Sequence, residues 1–294
     1  MWQRSLMQPS RAAARSCSTF TSLEFSMWAR SAAAYGDGFG RLTAMASRPL
    51  ITAAGVGQHT RLLDVATGPG YLAELAAPAC DAVVAVDFSL EMVQLAARRT
   101  AAARHVVALR GDAQDLPFAA GSFDAVTCAF GVLHLESPAA FFREAHRVLR
   151  PGGRLSFSVW LPPEPRSAFS IVNQAISLHG DPEAKLPSSE LTPPFFHYGD
   201  ASNAAAALRE AGFDASTVGS VELPLRFALR GADDLFDIFA SGTGRTRALL
   251  EMQSDQRRGA IRGSMAASMQ DYHAADGTGF EVPAVAVVHS AARA

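Results

Sequence analysis

The chain has 294 residues, 49% apolar and 18% charged, with a net charge of −2. That length and composition allow a full α/β core to be buried, and without a basic stripe they argue against a nucleic-acid surface, which needs clustered Lys and Arg. No stretch approaches the ~18 uninterrupted apolar residues of a membrane span.

Three far-spaced cysteines, Cys17, Cys80 and Cys128, indicate neither a disulfide framework nor a zinc knuckle. Lys185 is the only lysine against 25 arginines, so a lysine Schiff base or a Gly-Lys-Ser phosphate loop has almost nowhere to reside.

Residues 1–24 carry Arg4, Arg11 and Arg15 and no acid before Glu24. This Arg-, Ser- and Ala-rich composition reads either as an organellar transit peptide or as a disordered tail. Residues 25–294 are expected to form one domain. Within it, 25–57 is Ala-rich and helical, 58–160 is a regular α/β core, and 161–294 supplies a cap insertion and the remaining strands.

In the core, strands are expected at 61–66, 82–87, 105–110, 123–130 and 154–160, with helices at 70–77, 89–103 and 137–149. Ser89 is a plausible N-cap, and Ser137-Pro138 starts a helix that stops before the "RPGG" turn at 150–153. Short strands separated by helices of this length indicate parallel βαβ units in a doubly wound sheet. Beyond Trp160 come helices at 166–179 and 200–211, a strand at 216–229, two or more helices over 231–273, and the closing apolar strand "GFEVPAVAVVHSAA".

The stretch "GPGYLA" satisfies the dinucleotide fingerprint G-x-G-x-x-A, and Asp87 follows Gly68 by 19 residues. Two features weigh against a dinucleotide. Asp64, at the strand end, would repel a pyrophosphate but suits an ammonium, and two effective glycines are thin for cradling a diphosphate.

Three later stretches, "GDAQDLPF", "FDAVTCAFGVLHL" and "VLRPGGRLSFSVW", follow in order. With the glycine loop they make residues 61–160 resemble the class I S-adenosylmethionine-dependent methyltransferases, especially the ubiquinone/menaquinone-biosynthesis group. The resemblance implies a seven-stranded Rossmann-like sheet with a helical cap, and S-adenosylmethionine as cofactor. It puts Asp64, Gly68 and Gly70 at the methionine moiety, although residue 66 is Ala where the family often has glycine. Asp87 would accept both ribose hydroxyls, Phe88 and Met92 would line the adenine, and Asp112 and Ala113 would meet its polar edge. Ala129 and Phe130 would border the sulfonium and its methyl group.

A base is needed only where the acceptor must lose a proton. His134, just beyond the fourth strand, is the first candidate; His197, Tyr198 and His273 are weaker ones. His59, His105, His146 and His289 show no metal-site spacing, and no metal is expected. Phe195, Phe196, Phe239 and Leu249 in the cap favour a medium-sized apolar or aromatic acceptor, with the N-terminal helix closing over the cofactor and Trp28 and Tyr35 facing the site.

The expected activity is O-, C- or N-methylation of a small molecule; a non-methylating S-adenosylmethionine-binding protein is the alternative. The expected partner is a small-molecule methyl acceptor, with no nucleic acid and no membrane span, and a homodimer is left open. The expected location is intracellular: cytoplasm, or mitochondrion or plastid if the N-terminal segment is a transit peptide.

Overall fold

Seven apolar stretches bounded by turn residues pair into one sheet in the computed structural model, which describes residues 18–36 and 38–294. The strands are β1 (Thr60–Val65), β2 (Cys80–Asp87), β3 (Val106–Arg110), β4 (Phe123–Ala129), β5 (Leu149–Trp160), β6 (Gly219–Leu229) and β7 (Phe280–Ala292). Their order across the sheet is β3-β2-β1-β4-β5-β7-β6. The first five are parallel, and β7 runs antiparallel to both β5 and β6. β2 is buried over its last six residues and β1 is buried at every position but Arg61. Runs of this kind belong to parallel strands covered on both faces. β6, at the edge, leaves its first four residues exposed.

The helices before the sheet are α1 (Thr19–Tyr35), α2 (Phe39–Ala44) and α3 (Ser47–Ala53). Those between its strands are α4 (Tyr71–Ala76), α5 (Leu90–Arg99) and α6 (Pro138–Val148). Ser89 caps α5 by accepting from the Met92 N–H, and Ser137 caps α6 with proline at its first position. The cap consists of α7 (Ala168–His179), α9 (Asp234–Gly242), α10 (Arg245–Glu251) and α11 (Asp255–Ser268), while α8 (Ala201–Glu210) packs against α6 and β7.

Three sequence expectations change. The targeting or disordered segment at 1–24 lies outside the described residues only up to residue 17; residues 18–24 belong to the fold. Ser18 caps α1, Phe20 and Glu24 are each 2% exposed, and the Ser18 and Thr21 hydroxyls donate to Glu136 at 2.7 and 2.8 Å. The helix expected over 89–103 ends at Arg99, where the Thr100 hydroxyl turns back to the Ala96 carbonyl at 2.9 Å. "RPGG" is not a turn ahead of the strand: residues 150–153 already belong to β5, where pairing with β4 jumps from Leu149 to Arg154 across a bulge.

Chain order reverses between β1 and β4, because after β3 the chain crosses back over β2 and β1. Sheets of this kind bind ligands in the crevice beyond the carboxyl ends of the strands at such a switch point.

Candidate functional site

A cavity of about 740 Å³ opens at that crevice and extends beneath α1 and the cap. The turn leaving β1 has left-handed backbone at Ala66 (φ +53°), Gly68 (φ +55°) and Gly70 (φ +84°). Ala66 carries a side chain in a conformation glycine would adopt without strain. A Cβ at Gly68 would meet nothing within 4 Å, so the backbone there borders open cavity. A Cβ at Gly70 would strike the Ala96 backbone at 2.9 Å, so that glycine serves the packing of the turn against α5.

Asp87, 6% exposed, ends β2 at the cavity wall and accepts backbone N–H groups from Gly68 and Ser89, each at 2.9 Å. Burial pushes its carboxyl up to about 6, against backbone hydrogen bonds that lower it. Phe88 and Met92 follow it along the wall, with Asp112 and Ala113 after β3. Asp112 Oδ1 accepts from the backbone and side-chain amides of Gln114 at 2.8 and 3.1 Å, and the loop residue is exposed.

Asp64 is 1% exposed and does not line the cavity. Its two oxygens accept from the hydroxyls of Thr127 (2.9 Å) and Thr67 (2.6 Å), and burial pushes it up to about 6. Asp64 and Gly70 therefore lie behind the wall, shaping the turn, rather than on it.

On the other side of the switch point, Ala129 ends β4 and Phe130 follows it. Phe130 holds φ +55° and stacks on Trp160 with ring centroids 4.2 Å apart. An aromatic chamber continues from there: Phe39 lies 5.7 Å from Trp160, Phe169 5.5 Å from Phe239, and Phe195 4.9 Å from Phe196. Trp28 and Tyr35 of α1 both reach the cavity. Burial pushes the Tyr35 phenol up to about 12, and its hydroxyl pairs with Thr43 at 2.8 Å, so it is a neutral hydrogen-bonding group.

His134, in the 3₁₀ turn Val132–His134 after β4, also lines the cavity. Its Nδ1 is 3.1 Å from Glu24 Oε2, and the other Glu24 oxygen accepts from Arg245 Nε at 2.8 Å. Burial would raise the Glu24 carboxyl, but the facing charges and hydrogen bonds of His134 and Arg245 outweigh it and hold it below its ordinary value.

The other proposed bases do not reach this cavity. His197 and Tyr198 border a small cleft against α6 and α8, and His273 lines a separate cleft beside β7. Conversely, four lining residues carry no signal in the sequence: Glu24 and Phe25 of α1, Arg110 at the end of β3, and Arg245 of α10. Arg110 donates to the Phe88 carbonyl at 3.0 Å and sits 5.1 Å from the Phe25 ring, which lies 5.8 Å from Phe88. Among the described residues no group of three or more His, Cys, Asp or Glu could hold a metal ion, and no helix is long and apolar enough to cross a membrane.

Residues 63–157, the part that builds the switch-point crevice, match the family model described as a methyltransferase domain. The demethylmenaquinone methyltransferase of Beutenbergia cavernae is 38% identical over 176 residues, covering 56% of this chain and 70% of that relative. The chain belongs to the class I S-adenosylmethionine-dependent methyltransferases. The demethylmenaquinone methyltransferase of Thermus thermophilus is 45% identical over 117 residues, 38% of this chain and 52% of its own. Overall the chain spans about half the length of the first relatives it matches. Among solved structures, the YcgJ protein of Bacillus subtilis superposes with a TM-score of 0.54 at 21% identity, covering 85% of this chain and 99% of that one. At that identity the likeness is one of fold.

The methyltransferase cofactor carries an amino acid, a ribose and an adenine, and the wall can be tested against each. Open space at the Gly68 Cβ position leaves backbone accessible to the amino-acid end. The Asp87 carboxylate has lone pairs beyond its two backbone bonds for hydroxyl donors. Phe88 and Met92 offer apolar faces beside the polar edge at Asp112. The residues fit the group.

Proposed function

We propose that this methyltransferase moves a methyl group from S-adenosylmethionine to a medium-sized apolar or aromatic small molecule. One observation carries the reading. A single cavity is lined with carboxylates and an accessible glycine turn at β1, β2 and β3, and with aromatic rings at β4, β5 and the cap.

In this reading the Gly68 turn receives the methionine moiety, with Asp64 and Gly70 holding the shape of the turn from behind. Asp87 accepts the ribose hydroxyls, Phe88 and Met92 pack on the adenine, and Asp112 and the Ala113 backbone meet its polar edge. Ala129 and Phe130 border the reacting end. When bound, S-adenosylmethionine supplies a methyl group already activated on a sulfonium.

The chain's own work is then alignment and exclusion of water. The rings of Phe130, Trp160, Phe169, Phe195 and Phe239 give an acceptor an apolar bed. His134, at the boundary between the two linings, takes a proton from an acceptor that must lose one, a role typically contributing ~10²–10⁴-fold. Relatives named for demethylmenaquinone make a reduced demethylmenaquinone the first acceptor to try.

The test is incubation of the purified protein with methyl-labelled S-adenosylmethionine and either reduced demethylmenaquinone or an extract of aromatic metabolites. A labelled product formed together with S-adenosylhomocysteine supports methyl transfer. Cofactor binding without any labelled product, across the whole extract, would favour the non-methylating alternative.

A further inference from the structure

Glu24 is a buried carboxylate on the N-terminal helix, 110 residues from His134 in sequence, yet it pairs with both His134 and the half-buried Arg245 of the cap. Its side chain is 3% exposed and that of His134 15%. Ring contacts fix the imidazole on two sides: Trp28 meets it edge-on at 4.8 Å, and Phe195 at 6.1 Å. Arg245 is held in turn, its guanidinium 4.9 Å from the Phe20 ring.

The donor and acceptor inventory fixes the proton between Glu24 and His134. Arg245 has only donors, and an ionised carboxylate has only acceptors. Glu24 Oε1 therefore accepts from Arg245, and Oε2 accepts from a protonated Nδ1 of His134. With the neutral ring carrying its hydrogen on Nδ1, Nε2 is left as a bare acceptor. That nitrogen has no protein hydrogen bond among the described residues, and His134 lines the cavity.

We infer that Glu24 is the positioning residue of this site: anchored by Arg245, it fixes His134 in the Nδ1–H tautomer so that Nε2 can accept the acceptor's proton. The inference rests on His134 acting as the base. In the step concerned, the proton leaves an acidic O–H or C–H of the acceptor for Nε2, and the bonding pair stays on the acceptor as the attacking nucleophile. The resulting imidazolium then faces the Glu24 carboxylate through Nδ1. The same arrangement closes the site, because α1, the turn after β4 and α10 must all be in place before the base is set.

Glu24→Gln makes the idea testable with little change of shape. Arg245 can only donate, so it claims the amide oxygen of Gln and turns the amide NH₂ toward His134. The ring is then driven to accept at Nδ1 and to carry its hydrogen on Nε2, the wrong tautomer for a base. In serine proteases the equivalent Asp-to-Asn change costs ~10⁴-fold in kcat for this reason.

The experiment uses the full chain labelled with ¹⁵N-histidine, with S-adenosylhomocysteine bound, at mildly alkaline pH. The His134 ring should show its proton on Nδ1 in the wild type and on Nε2 in Glu24→Gln. With reduced demethylmenaquinone as acceptor, kcat in Glu24→Gln should fall by ~10² or more. Acceptor KM and S-adenosylhomocysteine affinity should stay within about threefold. Adding Arg245→Met frees the amide to turn back, so the double variant should regain the Nδ1–H tautomer and at least about tenfold in kcat. An Nε2-protonated ring in the wild type overturns the inference, as does a Glu24→Gln variant as fast as wild type while His134→Ala is inactive. Wild-type turnover in His134→Ala would instead overturn the base reading beneath it.

Discussion

The backbone N–H of Gly68 donates to Asp87 Oδ2 at 2.9 Å, fastening the turn after β1 to the end of β2. Because φ is +55° there and a Cβ at Gly68 would meet nothing within 4 Å, Gly68 and Gly70 should respond differently to alanine. Gly68→Ala should cost only the left-handed backbone, ~1–2 kcal/mol, while its methyl occupies cavity space and lowers S-adenosylhomocysteine affinity more than about tenfold. Gly70→Ala collides with Ala96, so its chief effect should be on stability. Chemical denaturation and calorimetry on the two variants separate these outcomes. Equal affinity in Gly68→Ala would remove the turn from the binding surface.

Asp64 gives a pH signature of its own. Burial raises its folded carboxyl to about 6, whereas in an unfolded chain an aspartate titrates near ~3.9. Between those values the folded state binds the extra proton, so this group's contribution to stability falls as pH rises through the window. Asn at the position cannot titrate. The stability of the ligand-free wild type relative to Asp64→Asn should therefore grow by on the order of 2 kcal/mol as pH drops from about 7.5 to about 4.5. Urea melts at several pH values measure it, and a flat difference would contradict the assignment.

Residues 18–24 should behave as part of the fold, with Phe20 and Glu24 buried in it. Phe20 is 2% exposed and meets Arg245, so Phe20→Ala should destabilise by about 3 kcal/mol. A chain starting at residue 18 keeps Phe20, Glu24 and both hydroxyls on Glu136, whereas one starting at residue 25 loses them and should melt lower. Matching melting curves for the two truncated chains would remove residues 18–24 from the fold.

Phe195 sits against both His134 and Phe196 at the cavity wall. Phe195→Ala removes apolar contact worth ~1–3 kcal/mol in such a pocket. KM for reduced demethylmenaquinone should rise roughly ten- to hundredfold with cofactor affinity unchanged. Steady-state kinetics beside calorimetry decide it; an unchanged KM would place the acceptor elsewhere.

The β1–β5 half was legible because its chemistry is local. A strand end followed by Gly68, by Asp87 or by Asp112 places backbone and carboxylate at one edge whatever the rest of the chain does. Asp64 shows the limit of that reasoning. Its position at a strand end is right, but whether it faces ligand depends on Thr127 from a neighbouring strand, which claims one of its oxygens. Glu24 was illegible for the same reason on a larger scale. Nothing near it signals a site, and its partners come from a turn after β4 and from the cap. The histidines and tyrosine of the cap failed differently. His197, Tyr198 and His273 lie on cap segments, but which way each segment faces is set by tertiary packing that no local pattern encodes.

Calorimetric titration of S-adenosylhomocysteine into the wild type and Asp87→Ala bears on the cofactor reading without requiring any acceptor. Asp87 is buried and would take charge-assisted bonds from the ligand's hydroxyls, which at ~1.5–3 kcal/mol corresponds to a loss of roughly ten- to hundredfold in Asp87→Ala. Stoichiometric binding by the wild type and that loss in the variant are expected. No binding by the wild type, or equal binding by both, would contradict it.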